Sequence, residues 1–568
     1  MLQAHPMKKS FCHGLLAGAL MLSISAVRAG STNSPAVGPA WPKADPAAVA
    51  HWQALRFGMF IHWGPVSLTG KEIGWSRGAG TPIEVYDNLY KEFNPTNFNA
   101  DEWVSIAKAA GMKYIVLTTK HHDGFCLWDT KLTDYNIMHT PFHRDVVKEL
   151  AAACKKQGIA FGAYYSVTDW YDQNWPVTSP AGSVKREKSD LDAYEKYLQG
   201  QITELIQNYG PLITIWNDVP AMYGKRGAET IKMVRQLQPD ILIDNRTGDG
   251  GDYDTPEQVI GKYQDSRPWE SCMTVSAHNH WAWGGANDGV KSTAACLDML
   301  IRAAGGDGNV LLNVGPRPDG VIDPAQANLL KSVGDWLVKN GESIYGTRGG
   351  PWKSTQSLAS TRTGKTIFLH IMRSDDGRVE LPALPVKIKS AVLLNGGKIK
   401  FTQADGKLIV TVPKESLDAI DTIVRLELDG SAMELPVLAV ASGIKAAASN
   451  VFQNEEAEYG AAMAFDNDPL TRWATDGGTK QVWISADFGK AKTITGIRMQ
   501  EPAPYNTRVQ KYEVQYRDGD TWKTIFTGTK IGKRFEKKFA AVTAREFRLN
   551  ILDATEGPTL AEIEFIEK

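Results

Sequence analysis

The sequence predicts a fold class of α/β plus all-β: a (β/α)8-type barrel followed by two all-β units. Three observations carry this. From Trp41 to about Tyr345, apolar strand-like runs alternate with helical patterns, as expected of parallel strands joined by crossover helices. Four runs lead into chemistry-bearing residues: Leu212 to Ile215 into Trp216-Asn217-Asp218, Phe57 to Phe60 into Ile61-His62-Trp63, Tyr114 to Thr118 into Lys120-His121-His122-Asp123, and Phe161 to Ser166 into Asp169-Trp170. A barrel carries its chemistry at that end of its strands. Beyond Tyr345 the strands shorten and are split by Asn395-Gly396-Gly397 and Asp405-Gly406 turns, as in antiparallel sheets.

In chain order, Lys8 and Lys9 precede an apolar run from about Leu15 to Ile24 and the small-residue stretch Ala26-Val27-Arg28-Ala29. This pattern predicts a signal peptide over 1–29, because the run is too short for a membrane span. The barrel is expected over 30–345. Its helices are predicted at Ala100 to Ala110, Asp145 to Gln157, Leu191 to Asn208, Ala228 to Leu237, Thr293 to Ala303 and Pro324 to Lys339. The first shows the reasoning: Trp103, Ile106, Ala107 and Ala110 share a face and Gly111 closes the helix. No Gly-rich phosphate loop follows the first strand, which argues against a doubly wound sheet. A small antiparallel β-sandwich is expected over 346–430, a linker over 431–448, and an all-β unit over 449–568.

At 568 residues and 43% hydrophobic composition, the chain is long enough for several cores. Its 63 basic and 64 acidic residues leave a net charge of −1, so no electrostatic footprint points to nucleic acid or an anionic membrane. After the leader, Cys126, Cys154, Cys272 and Cys296 remain; their wide spacing makes no zinc pattern and reads as buried thiols.

Asp218, delivered at the end of a buried strand, reads as a nucleophilic carboxylate. Retaining cleavage of a glycosidic bond needs a second carboxyl about 5 Å away to protonate the leaving oxygen. Glu270 is the candidate, because Pro268 and Trp269 beside it would desolvate it and raise its pKa; Glu257 is the fallback. His121 and His122 are adjacent on an extended chain and would point to opposite faces, which suits sugar hydroxyls better than one shared metal.

Taken together, Phe57-Gly58-Met59-Phe60-Ile61-His62-Trp63-Gly64, Lys120-His121-His122-Asp123-Gly124-Phe125, Tyr164-Tyr165-Ser166, Asp244-Asn245-Arg246, Trp269-Glu270 and Asn313-Val314-Gly315-Pro316 resemble the α-L-fucosidases of glycoside hydrolase family 29. The resemblance implies a retaining exo-acting hydrolase of terminal α-L-fucose on fucosylated glycans, needing no cofactor for catalysis. It implies Asp218 as nucleophile, Glu270 as acid/base, and His62, Glu72, Trp75, His121, His122, Tyr165, Trp216 and Arg246 as sugar contacts. Two departures stand out: Trp216-Asn217-Asp218-Val219-Pro220 replaces the usual Trp-Phe-Asp-Gly, and Glu72-Ile73-Gly74-Trp75 separates a usually adjacent Glu-Trp pair.

In the last unit, Ala464-Phe465-Asp466-Asn467-Asp468-Pro469-Leu470-Thr471-Arg472-Trp473 and Ala544-Arg545-Glu546-Phe547-Arg548-Leu549 resemble the discoidin-like (F5/8 type C) β jelly roll, which carbohydrate-binding modules also use. That likeness makes Asp466, Asp468, Thr471 and Glu562 candidate ligands of a structural calcium. Partners expected are fucosylated glycans, with no nucleic acid and no membrane span. The leader points to a periplasmic or secreted protein. Two other readings are carried: a non-catalytic carbohydrate-binding or adhesin protein on a disarmed barrel, and a metal-dependent hydrolase built on His62, His121 and Asp123.

Overall fold

The computed structural model describes residues 41–568 except 180–184, 221–222, 249, 262, 375, 439, 441–443, 467–470, 503–504 and 568; the expected leader, 1–29, lies outside them. Seven parallel strands form the first sheet: β1 Phe57–Ile61, β2 Tyr114–Lys120, β3 Ala160–Ser166, β4 Thr214–Asp218, β5 Leu242–Ile243, β6 Glu270–Thr274 and β7 Asn309–Val314. Their order is β5-β4-β3-β2-β1-β7-β6, so the seam lies between β5 and β6.

Residues 252–258 cross that seam as an irregular eighth stave. The Asp252 N–H donates to Ile243 O at 2.7 Å on one side; on the other, the Glu270 and Cys272 N–H groups donate to Asp254 O at 2.9 Å and Pro256 O at 3.0 Å. Pro256 has no N–H to offer a ladder, which is one reason the stave never becomes a regular strand. The barrel interior records eight contributions: Phe60, Val116, Tyr164, Trp216, Leu242, Cys272 and Leu311 from the seven strands and Tyr253 from the stave pack in one buried cluster, with Trp52 below.

Each strand of the barrel is buried, every residue of β1, β2 and β4 included, because helices cover the outer face. Those helices form where the periodicity places them. The helix Ala100–Ala109 buries Trp103, Val104 and Ala107; its N-cap Asn99 accepts from the Glu102 N–H, a bond worth about 1 kcal/mol. Asp145 caps Val146–Gln157 in the same way and Gly158, at φ +74°, ends it. The helices Leu191–Tyr209, Gly227–Leu237, Thr293–Gly305 and Pro324–Asn340 complete the ring.

Downstream, strands 348–349, 358–363, 366–371, 388–393 and 422–428 make one antiparallel sheet, and 378–382, 400–404 and 407–411 a second. Trp352, Leu369, Leu408 and Leu426 belong to the core between them. The stretch expected to be a linker is largely structured: Ala432 and Leu435 join that core, and Lys445–Ala448 is already a strand of the C-terminal sheet, paired antiparallel with Val482–Gln500. That sheet continues through Phe535–Ala554, Val509–Asp518 and Thr521–Gly528. Ala-rich composition disguised Lys445–Ala448, because alanine carries little strand propensity. Among the described residues no helix is long and apolar enough to cross a membrane.

Candidate active site

At the C-terminal mouth of the barrel lies a cavity of about 60 Å3 lined by Phe60, His62, Trp75, His121, His122, Tyr164, Trp216, Asp218, Val219, Arg246, Glu257, Cys272 and Trp281. The strand ends bring Asp218, His62, His121, His122 and Trp216 together, with Arg246 and Trp75 from loops; His121 and His122, expected to face opposite ways, both line the cavity because β2 ends at Lys120 and they follow it outside the extended strand.

Asp218 ends β4 and is 9% exposed. Its Oδ2 accepts from the Tyr164 hydroxyl at 2.8 Å, and its Oδ1 accepts from Arg246 Nη1 at 2.8 Å and its neighbour's N–H, that of Val219, at 2.9 Å. Burial pushes the carboxyl pKa up, but the Arg246 charge, His122 and these bonds outweigh it, and the pKa falls below the ordinary value. An ionised, oriented carboxylate is what nucleophilic attack needs.

Arg246 is fixed by Thr255, whose hydroxyl and carbonyl accept from Nε and Nη2 at 2.8 Å each. Its Nη1 also donates to Glu257 Oε2 at 2.9 Å. Asp218 and Glu257 thus share one nitrogen, and the two oxygens bound to it, Asp218 Oδ1 and Glu257 Oε2, cannot be farther apart than those two bonds laid end to end. That limit falls near the ~5–5.5 Å of retaining glycosidases and below the ~6.5–9.5 Å of inverting ones.

The three imidazoles are neutral. Burial pushes His62 down to about 3 and His122 to about 4, and His121 well below its ordinary value. Their tautomers follow from their partners. Asn313 Nδ2 donates to Trp281 O at 2.7 Å, which turns its Oδ1 to accept from His62 Nδ1 at 2.6 Å. Ser166 Oγ donates to Thr168 O at 2.5 Å, so it accepts from His122 Nδ1 at 2.6 Å. Both rings therefore leave Nε2 as an acceptor, and that of His122 stands 3.7 Å from Asp218 Oδ2. His121 Nδ1 has no hydrogen-bond partner among the described residues and packs against Gly74. A Cβ there would come within 2.7 Å of that nitrogen, and the φ of +63° favours glycine.

Depressed histidines have a stability consequence. Above the unfolded value of 6.5 both states are neutral; as pH falls the unfolded chain protonates first, so stability is lost progressively between pH 6.5 and about 4. We expect the Tm to fall across that window and to fall less in His122→Gln; an equal fall in both proteins would exclude His122 as a source.

Three expected site residues lie elsewhere. Tyr165 points out of the barrel, where its hydroxyl donates to Gln201 Oε1 at 2.8 Å. Adjacent strand residues face opposite ways, and the register pairs Tyr164 with Trp216 and Ser166 with Asp218, so Tyr164 is the one that faces the cavity. Glu72 does not line the cavity; its carboxylate accepts from the N–H groups of Trp281 at 2.9 Å and Ala282 at 3.0 Å. The split Glu72-Ile73-Gly74-Trp75 motif thus sends Trp75 to the rim, 44% exposed, and turns Glu72 into the anchor of the Trp281 loop. Glu270 is the first residue of β6, at the opposite end of the barrel from the end of β4. It is fully buried behind Trp216, accepts from the Tyr114 hydroxyl and, at 3.2 Å, from Trp216 Nε1, and is not among the lining residues. Burial raises its pKa to about 7 against those two bonds, so the desolvation expected from sequence exists but in the barrel interior.

Sequence reasoning left out Phe60, Tyr164, Cys272 and Trp281. The period-2 rule applied from Asp218 and Trp216 across the β3–β4 register would have found Tyr164. Trp281 sits in a loop with no regular pattern to place it. The four cysteines among the described residues, Cys126, Cys154, Cys272 and Cys296, are buried and unpaired.

Asp123 is turned away from the histidines: it accepts from the Tyr86 hydroxyl at 2.6 Å and the Phe125 N–H at 3.3 Å. Among the described residues no group of three or more metal-type side chains gathers at any point, so His62, His121 and Asp123 form no common site. In the C-terminal unit the Thr471 hydroxyl lies 2.9 Å from each Asp466 carboxylate oxygen; Asp468 lies outside the described residues.

A barrel mouth that holds two carboxylates around a ring-sized hollow, with uncharged hydrogen-bonding walls, defines the class of glycoside hydrolases. Within that class the chain belongs to the α-L-fucosidase family: residues 24–342 match the family model described as alpha-L-fucosidase. Residues 445–565 match the F5/8 type C domain. Tissue alpha-L-fucosidase of Homo sapiens is 29% identical over 419 residues, 66% of this chain and 88% of the relative. Among solved structures, alpha-L-fucosidase isoenzyme 1 from Paenibacillus thiaminolyticus is 33% identical and covers 67% of this chain and 99% of its own, with a TM-score of 0.62. A Bacteroides thetaiotaomicron α-L-fucosidase, solved as a trapped covalent intermediate with 2-fluoro-fucosyl fluoride, is 25% identical, with coverages of 68% and 97% and a TM-score of 0.61.

Proposed function

We propose that this chain is a retaining exo-α-L-fucosidase acting by double displacement, with Asp218 as nucleophile and Glu257 as acid/base. The observation that carries the reading is the single Arg246 nitrogen bound by both carboxylates at 2.8 and 2.9 Å. Asp218 attacks the anomeric carbon as the glycosidic oxygen leaves with the Glu257 proton. Water then gives its proton back to Glu257 while its oxygen displaces Asp218.

The walls suit a deoxy sugar. Phe60, Trp216 and Trp281 offer apolar surface to a C6 methyl, while the acceptor nitrogens of His62 and His122 take ring hydroxyls. The small cavity supports action on a terminal residue. The relative trapped as a covalent intermediate supports the two-step route. Incubating the protein with an aryl α-L-fucoside and following the product by NMR tests it: α-fucose should appear first and mutarotate later, and β-fucose as first product would refute retention.

Two subsidiary readings accompany it. The leader supports export to the periplasm or medium, which fractionation of cells expressing the full chain would check. The cluster of Asp466 and Thr471 oxygens supports a structural calcium with Asp468 and Glu562. Chelation should then lower the C-terminal unit's Tm by several degrees and leave kcat on an aryl fucoside unchanged; an identical melting curve would refute the ion.

A further inference from the structure

A second cavity, about 250 Å3, lies between the barrel and the C-terminal domain. Its barrel wall includes Gln258, Val259, Ile260 and Arg302, and its other wall includes Arg498, Lys533 and Arg534. This cleft begins one residue after the active site: Glu257 lines the smaller cavity and Gln258 the larger. Gln258 makes that division by its backbone, with φ +56° and its N–H donating to Cys272 O at 3.0 Å, so consecutive side chains face the two cavities.

If Glu257 protonates the glycosidic oxygen, the leaving group departs past Glu257, and the chain that carries Glu257 continues into the wall of the cleft at Gln258. The argument therefore rests on the acid/base reading above. Two carboxylates, Glu562 and Glu564, line the cleft with Arg302, Arg498, Lys533 and Arg534, and Arg302 lies 3.7 Å from Asp298. Arg498 is committed to Glu536 and Glu564, both at 2.9 Å. Lys533 and Arg534 are exposed and have no ion-pair partner among the described residues. On the barrel wall, Arg302 Nε and Gln258 Oε1 are buried without hydrogen-bond partners among the described residues, and Val259, 38% exposed, offers an apolar patch for a sugar face. Unspent cations beside unsatisfied polar groups and a small apolar surface suit a saccharide that bears negative charge.

We propose that this interdomain cleft binds the leaving-group portion of the substrate and selects for an anionic substituent there, a sulfate ester or a sugar carboxylate, with Lys533 and Arg534 supplying the selection. The C-terminal domain then completes the substrate site of the barrel.

The test uses the full chain and matched fucosyl oligosaccharides: one pair with and without a sulfate on the leaving sugar, one pair with and without a sialic acid. An aryl α-L-fucoside, which places nothing in the cleft, reports on the fucose pocket of the same preparation. Wild-type protein should show a KM about threefold to tenfold lower for at least one anionic member than for its neutral partner, and which pair responds identifies the anion. The preference should vanish at ~1 M salt, where the Debye length is about 3 Å, and in the double variant Lys533→Ala/Arg534→Ala. Equal KM values within both pairs, or a preference that survives in the double variant, would overturn the proposal while aryl fucoside turnover leaves the fucosidase reading standing. No turnover of the aryl fucoside would remove both.

Discussion

Replacing Asp218 with asparagine is expected to reduce kcat on an aryl α-L-fucoside by about 10^4-fold or more, because the reaction loses the atom that bonds to the anomeric carbon. The substitution keeps size and the Tyr164 and Arg246 contacts, so circular dichroism and the gel-filtration profile should match the wild type. A nucleophile differs from a merely structural aspartate in what restores turnover. In Asp218→Gly, azide can enter the vacated space and attack the anomeric carbon, and the product should be a fucosyl azide of β configuration, inverted once. Rescue of that kind has no counterpart if Asp218 only holds Arg246 and Tyr164 in place. Activity within tenfold of wild type in Asp218→Asn, or no azide adduct in Asp218→Gly, would move the nucleophile elsewhere.

How far the sequence could be read divides along the regularity of the backbone. Wherever a strand is a continuous apolar run, its end was legible: β1, β2 and β4 deliver His62, His121, His122 and Asp218 to one cavity. The helices were legible for the same reason, since their caps and apolar stripes are local. What was hidden is the eighth stave. Residues 252–258 contain Asp252, Asp254, Pro256 and Glu257, have no apolar run, and owe their extended course to bonds with β5 and β6 rather than to their own propensity. A carboxylate on such a stave has no local signal, whereas Glu270 sits on a regular strand beside Trp269 and carries the desolvation signature of an acid. Desolvation identifies a buried carboxyl and says nothing of which end of the barrel it occupies. Tyr165 and Tyr164 show a finer version of the same point: composition could not choose between neighbours, and only the cross-strand register does.

The contrast between Glu257 and Glu270 therefore yields the second decisive expectation. If Glu257 donates the proton, Glu257→Gln should slow hydrolysis of a fucosyl oligosaccharide by about 10^2- to 10^4-fold, the range general acid catalysis supplies. The loss should shrink with leaving-group acidity. A dinitrophenyl fucoside needs no proton to depart, so its first step should stay near wild-type speed. Water then attacks the fucosyl-enzyme without a base, and the intermediate should accumulate as a burst of phenol followed by slow turnover. Glu270→Gln should show none of this, because its amide oxygen can accept from Trp216 while its NH2 donates to the Tyr114 oxygen in the barrel interior. Its mark should be on stability. Glu270 titrates at about 7 in the folded state against 4.5 unfolded, so the folded state holds its proton longer; that advantage is present below pH 4.5 and is lost as pH rises through about 7. The glutamine has no proton to lose, and the Tm of Glu270→Gln should decline less than that of wild type across that window. Should the leaving-group dependence and the burst follow Glu270→Gln and leave Glu257→Gln untouched, the acid would lie behind Trp216, and the shared Arg246 nitrogen would have to be explained as an ion pair alone.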